Sequence, residues 1–154
     1  MAISDASVVL AWSLVGRVDV VVKLTGKLVV PFPVKEEVRE ALAVLAPGRT
    51  FPGEDLVEVA FVDVPAGVLR QSEEEALALA LRRGVKTVLS DDACVRREAV
   101  ARGLRPLGTT GLLYAAQKKG LVEDARGVLS EMSGLGYTFG RGVWSALSGR
   151  LGKA

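Results

Sequence analysis

Histidine is absent from this 154-residue chain, cysteine occurs once, and no apolar run is long. Each shortage excludes some chemistry. Without imidazole there is no Ser-His-Asp or Cys-His nucleophilic machinery, and most zinc and iron sites lose their commonest ligand. The single thiol, Cys94, leaves no partner for an intrachain disulfide and no cysteine cluster for zinc. The stretches SVVLAWSLVG and EVAFVDV fall short of the roughly 18 uninterrupted apolar residues that a membrane span requires. The opening MAISDAS has neither the basic start nor the apolar centre of a signal peptide, so the expectation is a reducing, cytoplasmic setting without a membrane. Net charge is only +2, and the total therefore gives no sign of a nucleic-acid partner beyond a local patch. Chemistry on this chain must run on carboxylates, hydroxyls, lysine or a metal held by oxygen.

What is present describes a globular domain. Apolar residues make up 49% and charged residues 25%, which suits a chain that buries a core of its own. The length fits one domain and is short for two. Apolar segments alternate in kind along the chain. AISD reads as a strand and SVVLAWSLVG as a helix. VDVVVKLTG reads as a second helix closed by Gly26, with a strand also open because of its β-branched residues. KLVVP is a strand stopped by Pro31 and Pro33, and VKEEVREALAVLA has helical spacing. After the loop PGRTFPGED, VEVAFVDVP is the third strand, and EEEALALALRRG is a helix ending in Arg82, Arg83 and Gly84. VKTVLS, ACVRREAVARG and LRPLG follow as strand, helix and weak fifth strand. From about residue 109, at TTGLLYAAQKKG, the pattern is helical. Such alternation implies βαβ crossovers, hence an α/β fold with a parallel sheet of about five strands between helices, as one domain over residues 1–154.

The acids fall at particular places on that map. Asp5 ends strand one. Glu36 and Glu37 open the helix after strand two. Glu73, Glu74 and Glu75 open the helix after strand three, and Asp91 and Asp92 end strand four. All lie at the carboxyl edge of the sheet, where open parallel sheets bind ligands. Position alone leaves a bland reading equally open, because acids at helix N-termini cap free N–H groups and offset the helix dipole. Two features favour a site. Three consecutive glutamates and two adjacent aspartates exceed what capping needs, and no lysine or arginine stands among them to neutralise the charge. Like charges gathered closely destabilise one another unless a cation compensates. Carboxylate oxygens without imidazole or thiolate select Mg²⁺ or Mn²⁺.

Other signals are weaker. GLGYTFGRG has glycine spacing but follows a helix and lacks the lysine-serine or lysine-threonine pair of a phosphate loop, so helix-ending turns explain it. Cys94 has no histidine or lysine to activate it and is expected as a small, buried or half-buried residue. Trp12 and Trp144 are expected to pack rather than to stack on bases. The basic stretches RRG, VRREAVARGLR and QKKG read as solvated helix faces or, more sharply, as phosphate contacts.

Five stretches in order, ISDAS, VVPFPVKEEV, SEEEALALALRRGV, VLSDDACVRREAVARGL and LGTTGLLYAAQKKGLV, resemble the motifs of PIN-domain proteins, in particular the prokaryotic subgroup related to VapC toxins. The resemblance covers nearly the whole chain. It implies a metal-dependent ribonuclease with a carboxylate pocket at the strand ends, using Mg²⁺ or Mn²⁺ to hydrolyse RNA. By position, Asp5 matches the first acid, with Ser7 as the hydroxyl beside it. Glu37 matches the second acid and Glu73 the third, with Glu75 in reserve. Ser72 replaces the usual glycine before Glu73. The fourth acid is Asp91 or Asp92. The spacing Ser90-Asp91-Asp92 favours Asp92, which leaves Asp91 to cap the following helix or act through a water; the opposite assignment stays open because Asp91 lies nearer the strand. Arg96 matches a common basic position and is expected to touch substrate phosphate. The resemblance also implies a homodimer, and a possible antitoxin partner if the chain is the toxin of a pair. Runner-up readings are a non-catalytic PIN-like module that binds RNA or protein, and a nucleotide-binding α/β sensor using the same edge.

Overall fold

The computed structural model describes residues 1–140 and 142–152. In chain order its elements are β1 (Ala2–Ser4), α1 (Ala6–Leu14), α2 (Val18–Thr25), β2 (Leu28–Pro31), α3 (Phe32–Leu45), β3 (Val57–Ala60), α4 (Gln71–Arg83), β4 (Thr87–Leu89), α5 (Ala93–Ala101), β5 (Arg105–Leu107), α6 (Thr109–Lys118), α7 (Ala125–Gly134) and α8 (Val143–Gly152). The five strands form one parallel sheet in the order β3-β2-β1-β4-β5.

Both faces of the sheet are covered, as all-parallel sheets require. Alternate strand residues point to opposite sides. Ala2, Leu28, Val30, Val57 and Leu89 join the core cluster that includes residues of α1, α2, α3, α6, α7 and α8. Ile3, Val29, Ala60 and Val88 join a second cluster with α4 and α5. Helix α1 buries Val8, Val9, Ala11, Trp12, Ser13 and Leu14, most of its circumference, because helices lie around it as well as the sheet.

Some elements differ from the sequence reading, each for a physical reason. The third strand ends at Ala60, well before Pro65. It is an edge strand paired only with β2, and β2 stops at Pro31, where α3 begins without a loop. Pro33 therefore does not break a strand; it sits in the first turn of α3, where a missing N–H costs nothing. VDVVVKLT is a helix despite its β-branched residues. The fifth strand tolerates Pro106 because it too is an edge, bonded to β4 alone. Cys94 is exposed on α5 rather than buried, and Trp144 is 44% exposed whereas Trp12 is fully enclosed. Among the described residues no helix is long and apolar enough to cross a membrane.

Strand order places the functional edge. From β1 the chain moves outward to β2 and β3, then returns to the other side of β1 for β4 and β5. The reversal lies between β1 and β4, and the crevice beyond their carboxyl ends is where such sheets take ligands. Asp5 follows β1, and Ser90 and Asp91 follow β4.

Candidate acidic site at the sheet switch point

Asp5 is buried, at 3% exposure, and its carboxylate is fixed by three donors. Oδ1 accepts the backbone N–H of Ser7 at 3.0 Å, which caps α1, and the Ser7 hydroxyl at 2.6 Å. Oδ2 accepts the Ser90 hydroxyl. Burial pushes the Asp5 carboxyl up to about 6; the hydrogen bonds from Ser7 and Ser90 oppose that rise, and the nearby charge of Asp91 adds to it.

Asp91 belongs to the same network. The Ser7 hydroxyl that donates to Asp5 accepts from the Asp91 N–H at 2.9 Å, so one side chain joins the ends of two strands. The Asp91 carboxylate turns toward α6. Its Oδ1 accepts the Thr109 N–H at 2.6 Å, and its Oδ2 accepts the Thr109 hydroxyl at 2.6 Å and the Tyr137 hydroxyl at 2.7 Å. Gly108 makes this approach possible, since a Cβ there would stand 2.8 Å from Asp91 Oδ1 and from an Arg96 nitrogen.

Asp92 leaves in another direction. It is exposed and caps α5, with Oδ1 accepting the Val95 N–H at 2.9 Å. The expected cap is therefore corrected: Asp92, not Asp91, caps α5. Both aspartates donate a backbone N–H to a serine bound to Asp5, Asp91 to Ser7 at 2.9 Å and Asp92 to Ser90 at 3.1 Å, but only the Asp91 charge acts on the Asp5 carboxyl. Successive residues leaving a strand diverge, and the nearer one stays with the strand's neighbour.

The glutamates are held elsewhere. Glu37 accepts from the Arg70 guanidinium at 3.3 Å. Glu73 reaches back to the Arg70 N–H at 3.1 Å, half of a capping box, with Arg70 Nε 3.7 Å away. Glu74 accepts the Leu69 N–H and a 2.8 Å bond from Arg102. Burial works to raise Glu74, but these bonds outweigh it and hold the carboxyl below its usual range. The acids are thus not without counter-charge: Arg70 stands between Glu37 and Glu73, and Arg102 beside Glu74. Glu75 is 7% exposed and, among the described residues, has neither a hydrogen bond nor an ion pair from its side chain.

Arg96 donates to the Ser90 carbonyl at 3.1 Å and lines a cavity of about 330 Å³ with Asp91, Thr110 and Arg150. A larger cavity, about 560 Å³, runs beside α3 and is lined by Lys35, Arg39 and Arg49; no residue of the acidic network lines it.

A family model described as a PIN domain, DUF3368, matches residues 1–153. The chain belongs to this PIN-domain family. No curated protein and no solved structure gives a match. PIN domains are in general nucleases and typically use a divalent metal, so the fit of these residues to such an ion is a fair question. The donors are all oxygen, which suits Mg²⁺ or Mn²⁺. A four-acid cage is not assembled: among the described residues no three acidic, histidine or cysteine side chains converge on one point. The PIN residues fit a sparser mode, in which one or two carboxylates hold the ion and water and phosphate complete its shell. Asp5 Oδ2 and Asp91 Oδ1 each accept one described hydrogen bond, fewer than a carboxylate oxygen can take.

Tyr137 is the site residue that sequence reading missed. It comes from the stretch after α7, packs edge-on against Phe139 at 4.7 Å, and donates to Asp91. Burial, then the charges of Asp91 and Asp5, hold its phenol well above the usual value, so it remains a donor. No local spacing marks it, because its partner is 46 residues away.

Proposed function

We infer that this PIN domain is an Mg²⁺- or Mn²⁺-dependent endoribonuclease of the VapC-related kind. The observation that carries the reading is that the Asp91 charge acts on the buried Asp5 carboxylate where the Asp91 N–H and Asp5 share the Ser7 hydroxyl at the switch point, in a PIN-domain chain without histidine. When bound, such an ion supplies Lewis-acid polarisation of a phosphodiester and a more acidic water. Asp5 and Asp91 would hold it. Ser7 and Ser90 fix the Asp5 carboxylate, and Thr109 and Tyr137 fix that of Asp91, so neither has to be ordered when the ion arrives. Glu75, which has no competing partner among the described residues, is the reserve acid in the α4 motif, while Glu37 and Glu73 would act only after Arg70 releases them. Arg96 and Arg150 wall the cavity over Asp91 and suit an RNA phosphate. The reading carries with it a homodimer and, for a toxin, an antitoxin protein that blocks it.

Labelled RNA incubated with the purified protein, with and without Mn²⁺ and EDTA, tests this. Cleavage that requires the ion and disappears in Asp5→Asn is the expected result; full activity in that variant overturns the assignment.

A second reading has its own support. Arg70 occupies the space between Glu37 and Glu73, and Tyr137 already sits on Asp91, an arrangement that suits a PIN-like module binding RNA or a protein without cutting. RNA binding without cleavage under every ion would favour it.

A further inference from the structure

Phe32 and Phe61 form a stacked pair, ring centroids 5.1 Å apart and planes 19° from parallel, yet they are 39% and 80% exposed. Neither belongs to the two core clusters. Their pairing follows from sheet register. Pro31 of β2 lies opposite Ala60 of β3, so the residue that follows each strand is a phenylalanine beside a phenylalanine. Both therefore stand at the carboxyl edge, the edge that carries Asp5 and Asp91. Read across the sheet, the strand ends are Phe61, Phe32, Asp5 and then Ser90-Asp91. With strands about 4.8 Å apart, the backbone of Phe32 is one strand from Asp5 and that of Phe61 about two.

The geometry points to Phe32 and Phe61 as a stacking platform for one base of a single-stranded RNA whose phosphate lies against the acidic pair. This deepens the ribonuclease reading and rests on it for the class of ligand. The outer face of an exposed aromatic pair is open to water, and a nucleobase offers a π-face of matching size to cover it. Lys35 follows Phe32 by three residues on α3, but its ammonium lies over the Phe51 ring, 5.7 Å from the centroid, so the platform would act through its π-faces and not through a flanking cation. The competing occupant, a protein surface, fits less well by area. Two phenylalanine rings at these exposures present on the order of 250 Å², against about 800 Å² per partner in a stable interface. Stacking is tolerant of base identity, so the platform would position the strand rather than read its sequence.

The test is binding rather than cleavage. Anisotropy of a labelled single-stranded RNA oligonucleotide is measured in EDTA with the full chain, alongside an oligonucleotide of equal length carrying abasic sites. Phe61→Ala with Phe32→Ala is expected to weaken binding of the intact RNA about ten-fold or more and to leave abasic RNA unchanged. Phe61→Trp keeps a π-face and should bind as tightly as the native chain. Phe61→Leu keeps the apolar bulk and should behave like alanine, which also guards against a fold defect in the double variant. Native affinity in Phe61→Leu, equal losses for abasic and intact RNA, or no RNA binding by the native chain would each overturn the platform. So would a dimer by sedimentation that dissociates in the variant with RNA binding unchanged. Ion-dependent cleavage with the same KM in native and double variant would sink the platform and leave the nuclease standing. Base-dependent binding without cleavage would do the reverse.

Discussion

The Tyr137 hydroxyl donates to Oδ2 of Asp91 at 2.7 Å, tying the segment after α7 to the end of β4. Thr109 holds the same carboxylate through both its N–H and its hydroxyl. Tyr137→Phe removes one donor to a partly buried carboxylate and is expected to cost about 1–2 kcal/mol, read from urea denaturation. In an Asp91→Asn background the same change should cost much less, because the charged acceptor is gone. Equal losses in both backgrounds would show that the phenol stabilises through packing against Phe139 instead.

Asp5 makes stability depend on pH in an unusual direction. Its folded value is raised to about 6 from an ordinary 3.8, so the folded chain binds the proton more tightly than the unfolded chain. The associated stability is fully present below about pH 3.8 and is lost as pH rises through about 6. At neutral pH the ionised group costs about 3 kcal/mol. Asp5→Asn, in EDTA, should therefore melt higher than the native chain at pH 7.5, by several degrees after allowance for one weakened hydrogen bond. The gain should shrink toward zero near pH 4. A difference in Tm that is the same at pH 4 and pH 7.5 would contradict the burial that raises this group.

Much of this architecture is legible in the sequence, and the exceptions share a cause. The strands of β1, β2 and β4 stand out because each is a short apolar run buried on both faces. The length of β3 is not legible, since Phe61 to Val64 look as strand-like as Val57 to Ala60. What ends the strand is the conversion of its neighbour into α3 at Phe32. The acids stand out by type, and their position at the carboxyl edge follows from the βαβ alternation. Their partners do not. Arg70 is 33 residues from Glu37, Arg102 is 28 from Glu74, and Tyr137 is 46 from Asp91. Counter-charges and latches that arrive from distant elements leave no spacing to read, which is why a cluster that looks unneutralised in sequence is partly neutralised in space.

Arg102 is the clearest of those distant partners. It binds Glu74 at 2.8 Å and Glu98 at 3.0 Å, and the Glu74 side chain is only 7% exposed. Arg102→Met keeps the aliphatic stem but leaves Glu74 with backbone donors alone. The expected loss is about 2 kcal/mol, less than for a fully buried pair because the guanidinium is a quarter exposed. Glu74 has a depressed folded value, so the stability it contributes is present above the ordinary 4.5 and lost as pH falls. The gap between native and variant in denaturant midpoint should therefore narrow below that pH. An unchanged midpoint at pH 7 would mean that Glu74 is satisfied without Arg102.

The adjacent aspartates give the sharpest separation of roles. Asp92 spends Oδ1 on the Val95 N–H as the cap of α5, whereas the Asp91 carboxylate is held by Thr109 and Tyr137 and its charge acts on Asp5. Asp92→Ala should cost about 1 kcal/mol, the usual worth of an N-cap, and lower Tm by a few degrees. Mn²⁺ binding should survive it. Asp91→Asn keeps most of the hydrogen bonding of its site but removes the charge beside Asp5, and it should reduce Mn²⁺ affinity at least ten-fold. Calorimetric titration of both variants at one pH decides the matter. Loss of binding in Asp92→Ala with native binding in Asp91→Asn would return the ligand role to Asp92 and would require the cap of α5 to open when the ion binds.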